Sequence, residues 1–251
     1  MSVDKHNKIA WDLASKEALL WNKPMSKEDI EAAKKGELGL KVTATKKIPK
    51  NWIGDVRGKK VLLLAGAGGQ QSVLLSAAGA KVTVLDISKG QLLLDSKNLK
   101  EHGLSCHLIC ESYQYMSEME AESFDLIVNP VSNCFFEDLN IMWKESYRIL
   151  KSSGTMIFGF INPICFQFDF ELGNRGIFTL KYSQPYSDQS SLDETEKARF
   201  LREETPLEFG HSLTDQISTP LSVGFAIKGF YEDGWGCQDD RPIEKYVKVT
   251  T

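Results

Sequence analysis

Long apolar runs are missing from this sequence. No stretch approaches the ~20 residues that a membrane-spanning helix requires, so such a helix is not expected. The opening residues, MSVDKHNKIAWDLASKE, hold no apolar segment of the kind that directs secretion, and the expected location is the cytoplasm. A basic excess is missing too. Thirty Lys and Arg stand against 34 Asp and Glu, for a net charge of -4, whereas a dedicated nucleic-acid binder shows a basic excess or a basic face. The one lysine-rich stretch, Lys41 to Lys60, reads as a solvated approach to the first strand. Cysteine is sparse and irregularly spaced (Cys106, Cys110, Cys134, Cys165, Cys237), which gives no disulfide framework and fits reduced thiols. Histidine is scarcer still, at four residues. With no partners at ligand spacing for Cys106 and Cys110, no metal site is expected.

What is present is an alternation. The 251 residues suit one α/β domain with embellishments. Val61 to Ala65 is a continuous apolar run, as in a strand buried on both faces. A glycine-rich turn follows, Gly66-Ala-Gly-Gly-Gln-Gln71, then a helix over 72–78 and a β-branched strand from Lys81 to Asp86. Ser88 and Gln91 are spaced for a capping box, opening a helix that stops at Gly103. Strands are predicted at 105–110, 124–128 and 155–160. A helix on Leu139, Met142, Trp143, Ser146 and Leu150 and a turn at 151–154 separate the last two. The pattern predicts a Rossmann-like, mostly parallel sheet with helices on both faces and right-handed crossovers. Residues 1–57 read as an N-terminal helical cap, with a helix from Ser26 ended by Gly36 and Gly39, and residues 58–251 as the main domain. The stretch 163–209 breaks the rhythm and reads as a lid insertion. A helix near 211–222, a strand near 225–231 and an antiparallel last strand near 246–250 are expected to close the sheet.

In an open parallel sheet, ligands sit beyond the carboxyl ends of the strands, where strand order reverses. The glycine turn lies there, and the helix after it offers free N–H groups to an anionic group. Asp86, 18 residues after Gly68 at the end of the second strand, is placed to accept from both hydroxyls of a ribose. Glycines plus Asp86 indicate a nucleoside cofactor. A nicotinamide fingerprint has Gly or Ala at its sixth position. Here that position is Gln71, which argues against a dinucleotide.

The segments VLLLAGAGGQ, VTVLDIS, FDLIVNPVSN and WKESYRILKSSGTMIFGF resemble the class I S-adenosylmethionine-dependent methyltransferases, in particular the type 11 group of small-molecule enzymes. The resemblance covers about 59–161 and is weaker to the end. It implies that Ala65, Gly66, Ala67, Gly68 and Gln70 lie along the methionine part of S-adenosyl-L-methionine. It implies that Asp86 holds the ribose, Ile87 packs on the adenine, and Glu111 and Ser112 read the adenine edge. Asn129 and Pro130 would lie next to the reactive sulfonium. In two places the sequence departs from the group: Leu64 stands where an acidic residue is usual, and Gln70 replaces a third glycine. The first leaves open how the cofactor's amino group is held. The second suggests that Gln70 contacts the cofactor or narrows its pocket. The implied reaction is methyl transfer to a small-molecule acceptor. An NAD(P)-dependent oxidoreductase and a non-catalytic member of the fold are the alternatives.

No general-base motif stands out. His211, beside the lid at a helix start, and Asn129 are the only catalytic candidates, and a capping or surface role suits His211 better than a catalytic one. Trp11, Trp21, Phe166, Phe168, Phe170, Tyr182 and Tyr186 could form an apolar acceptor pocket if the N-terminal segment and the insertion fold over the strand ends.

Overall fold

A computed structural model describes residues 2–17, 19–66, 68–234 and 248–250. Three helices come first: α1 (Val3–Ala14), α2 (Lys27–Lys34) and the short α3 (Lys50–Ile53). The alternating core follows as β1 (Lys60–Leu64), α4 (Gln71–Ala77), β2 (Lys81–Asp86), α5 (Lys89–Glu101), β3 (His107–Cys110), β4 (Phe124–Asn129), α6 (Leu139–Ile149) and β5 (Leu150–Phe158). After β6 (Phe160–Ile161) come α7 (Phe170–Asn174), β7 (Tyr186–Ser187), α8 (Asp188–Ser191), α9 (Glu194–Glu203) and β8 (Phe209–Gly210). A π-helical turn (Thr214–Ser218), α10 (Thr219–Val223), β9 (Glu232–Gly234) and β10 (Lys248–Thr250) complete the described chain.

The five long strands form one parallel sheet in the order β3-β2-β1-β4-β5. Strand order reverses beside β1, so the crevice for a ligand opens at the carboxyl ends of β1 and β4. The sheet is buried on both faces. Val61 and Leu63 face one apolar cluster with Val84, Leu74 and Leu126; Leu62 and Leu64 face another with Leu85, Met142 and Trp143. This accounts for the unbroken apolar run of β1. Leu40, Val42, Ile48 and Val56 from the N-terminal segment share the first cluster, so that segment is packed into the same core as the sheet.

Three local expectations are corrected. The turn at 151–154 is instead an irregularity inside β5: Phe124 pairs with Leu150 but Leu126 with Thr155, and the extra residues bulge. No strand forms at 225–231. Phe225 packs edge-on against Trp143 and Tyr147, and that packing carries the chain off the edge of the sheet. The last strand is antiparallel, yet it pairs with β6 and β9 in a separate three-stranded sheet. The break falls at Gly159, where a Cβ would stand 2.6 Å from the Val42 carbonyl and 2.8 Å from the Val131 side chain. The N-terminal segment is wedged there, and Val131 N donates to Val42 O at 3.0 Å.

Candidate functional site

The turn after β1 is built on left-handed backbone. Ala65 has φ 47 and Gly68 φ 74. Ala65 N still donates to Leu85 O at 2.8 Å, so the turn starts in register with β2. At Gly68 a side chain is excluded twice, by φ and by space: a Cβ would meet Asn22 Oδ1 at 2.7 Å and the Trp21 carbonyl at 2.8 Å. The short helical turn Leu20–Asn22 therefore rests directly on the glycine turn. Gln70 Nε2 donates to Lys23 O at 2.9 Å and pins the same segment from the other side. Ala67 lies outside the described residues.

Asp86 ends β2, is 8% exposed, and accepts from Ser88 N at 2.9 Å. Ser88 Oγ caps α5 through Gln91 N at 3.1 Å. The expected capping box is only half made, because Asp86 takes the Ser88 N–H that Gln91 would have bound. Both amide atoms of Gln91 are buried without a partner. The β2–β3 register sets Asp86 opposite Cys110, so Glu111 and Ser112 leave the sheet beside it, with Ile87 on the adjoining turn. Ser112 Oγ accepts from Gln114 N at 3.3 Å. At the end of β4, Asn129 is fully buried; its Nδ2 donates to Leu64 O at 2.9 Å and to Ser132 Oγ at 2.8 Å, and its Oδ1 has no partner. Pro130 follows, and Ser132 Oγ donates to its carbonyl at 2.9 Å. The predicted cofactor residues that are described thus collect along the carboxyl ends of β1, β2, β3 and β4.

His211 stands elsewhere, against the segment that follows β4. Its Nε2 lies 2.8 Å from Phe136 O. A carbonyl only accepts, so that nitrogen carries the proton. Burial lowers the imidazole's pKa, against the raising effect of hydrogen bonds to the Phe136 and Asn133 backbone. The ring is thus a neutral tie between two segments. Beside it, Asn133 Nδ2 donates to Gln216 Oε1 at 2.8 Å inside the π-helical turn.

Several groups at the site carry no local signal in the sequence. Asp12 of α1 accepts from Ser88 Oγ and from Gly90 N, each at 2.7 Å, so a residue 76 positions upstream completes the start of α5. Midway along α5, Ser72 Oγ donates to Asp95 Oδ1. Asp95 is pushed up to about 7 by burial, with the Ser72 hydroxyl opposing and the Asp86 charge adding. Both contacts are tertiary, and neither has a spacing that a pattern could reveal.

The N-terminal segment also meets the insertion. His6 Nε2 lies 2.9 Å from Thr205 O, Asn7 Nδ2 donates to Leu207 O at 3.0 Å, and Leu207 N donates back to Asn7 Oδ1 at 2.8 Å. Trp11 packs edge-on against Phe135 at 5.0 Å and Trp21 at 6.2 Å. Phe166 stacks on Tyr186, which meets Tyr182. Tyr182, Tyr186, Phe170 and Phe200 line a cavity of about 220 Å³ together with Asp188 and Glu208. Burial and the neighbouring Asp188 raise Glu208 to about 8. Among the described residues, no group of three His, Cys, Asp or Glu is arranged to hold a metal ion.

Residues 63–158 match the methyltransferase domain family. Over 241 residues the chain is 43% identical to the uncharacterized methyltransferase YbaJ of Bacillus subtilis (strain 168), covering 96% of this chain and 94% of that protein. Among solved structures, an S-adenosylmethionine-dependent methyltransferase from Mesorhizobium loti superposes with a TM-score of 0.54 at 16% identity, covering 80% of this chain and 95% of the other. An arsenic(III) S-adenosylmethionine methyltransferase from Chlamydomonas reinhardtii gives a TM-score of 0.53 at 17% identity, over 96% of this chain and 71% of that one. At these identities the structural matches establish the fold alone.

Proposed function

Because the chain belongs to the S-adenosylmethionine-dependent methyltransferases, we propose that it methylates a small molecule held between its N-terminal segment and its 163–209 insertion. Membership in this family sets aside the oxidoreductase alternative. The observation that carries the acceptor reading is the pairing of α1 with Thr205 and Leu207. Two segments distant in sequence meet instead of packing separately, and α1 also caps α5 beside Asp86.

The residues present suit the cofactor. A buried carboxylate closes β2, the glycine turn brings backbone close, and the Oδ1 of fully buried Asn129 lacks a donor. When bound, S-adenosylmethionine supplies a methyl group on a sulfonium, which is displaced in line by the acceptor atom. The chain's contribution is placement and exclusion of water. In this reading Asp86 takes the ribose hydroxyls and Ile87, Glu111 and Ser112 surround the adenine. Ala65, Gly66, Ala67, Gly68 and Gln70 follow the methionine part, and Asn129 and Pro130 border the reacting centre. His211 Nε2 donates a hydrogen bond to Phe136 O, which ties the segment after β4 to the one before the π-helical turn.

No helix among the described residues is long and apolar enough to cross a membrane. Together with the free thiols of Cys106, Cys110, Cys134 and Cys165, this supports placing the enzyme in the cytoplasm. The test has two parts. S-adenosylhomocysteine should raise the Tm and NAD or NADP should not. Methyl-labelled donor, incubated with a cell extract, should label the small-molecule fraction. Label only in protein or nucleic acid would overturn the acceptor assignment.

A further inference from the structure

We propose that Asn22 is a cofactor-binding residue whose Oδ1 accepts a hydrogen bond from the amino group of the cofactor's methionine part. This rests on the reading that the glycine turn holds that part of the molecule.

An amino-acid end carries an ammonium and a carboxylate. The ammonium brings three donors and no acceptor, and in a site closed to water an unmet donor is costly. The strand leading into the turn offers little. Leu64 is 1% exposed, its side chain packs in the cluster of Leu62 and Leu85, and its carbonyl already accepts from Asn129. The acceptor comes instead from the N-terminal segment. Asn22 Nδ2 lies 3.1 Å from Ala14 O and 3.2 Å from Glu17 O. Both are carbonyls and can only accept, so the amide has one orientation. Its oxygen turns the other way, to within 2.7 Å of where a Cβ on Gly68 would stand. That oxygen is buried and receives no hydrogen bond. Gly68 lets the segment pack directly on the turn, and the bond from Gln70 to Lys23 O holds it there. A carboxylate would meet this oxygen lone pair to lone pair, whereas an ammonium satisfies it. The site therefore distinguishes the two ends of the amino acid.

Calorimetry on the full chain tests this with two probes, S-adenosylhomocysteine and its analogue with the amine replaced by hydrogen. The wild type should prefer the amine-bearing ligand. Asn22→Ala should weaken S-adenosylhomocysteine about 10- to 100-fold, the range for a hydrogen bond to a charged group, and leave the analogue within about twofold, so the preference collapses. Equal losses for both ligands in Asn22→Ala would indicate packing alone and overturn the proposal. If the wild type binds S-adenosylhomocysteine but does not discriminate, Asn22 has no such role. If it does not bind at all, the cofactor assignment of the turn fails as well.

Discussion

Asp95→Asn should stabilise the protein at alkaline pH and do much less at acid pH. Asp95 is 1% exposed, and its Oδ2 has no partner. The carboxyl ionises near pH 7 in the fold, against an ordinary value of 3.8. Between these limits the native state keeps a proton that the unfolded chain has released. Stability must therefore fall as pH rises from 3.8 toward 7, and level off above it. From pH 5 to pH 8 about two pH units of that slope apply, at roughly 1.4 kcal/mol each, or about 2–3 kcal/mol. Asparagine reproduces the protonated acid: its oxygen can still accept from Ser72, and its NH₂ occupies the place of the acid O–H. It has no ionisation to lose. For a chain of this length, ~2–4 °C of Tm accompanies each kcal/mol. The Tm advantage of the variant should thus grow by about 5–10 °C between pH 5 and pH 8 in scanning calorimetry. Parallel pH profiles for the two proteins would refute the reasoning.

Three further outcomes are expected. Asp86→Ala should weaken S-adenosylhomocysteine at least about tenfold by calorimetry, since bonds to a charged acceptor contribute ~1.5–3 kcal/mol each; unchanged affinity would remove Asp86 from the site. Asp12→Ala should cost ~1–2 kcal/mol in urea unfolding, as for a lost helix cap, and Asp12→Asn less, because its oxygen still accepts from Gly90. Cys106 and Cys165 are pushed up to about 12 by burial, so iodoacetamide at pH 8 should leave both unmodified in the folded protein and alkylate them in urea, as peptide mass mapping would show.

The central fold was legible in the sequence because its determinants are local. The apolar run of β1, the β-branched β2 ending in Asp86, and the helical repeat of Leu139, Met142 and Trp143 are short-range patterns, and each forms the element it predicts. Where tertiary contacts decide, the patterns fail. Phe225 to Tyr231 has strand composition, but Phe225 packs on α6 and Tyr231 on Trp52. Ser88 and Gln91 have capping-box spacing, but Asp86 takes the contested N–H. The glycine turn and Asp86 could be placed at the strand ends from topology alone. Asp12 and Asn22 could not, since nothing between residues 12 and 90 announces that a helix at one end of the chain will complete another.

The bonds between α1 and Leu207 span 200 positions. At synthesis rates of ~5–20 residues per second, α1 emerges from the ribosome roughly 10–40 s before the backbone it grips exists. The sheet and its glycine turn can assemble in that interval, but the bonds between α1 and the insertion cannot. A nascent chain stalled before residue 205 would leave His6 and Asn7 without the backbone they bind, so α1 acquires these partners only in the last steps of synthesis.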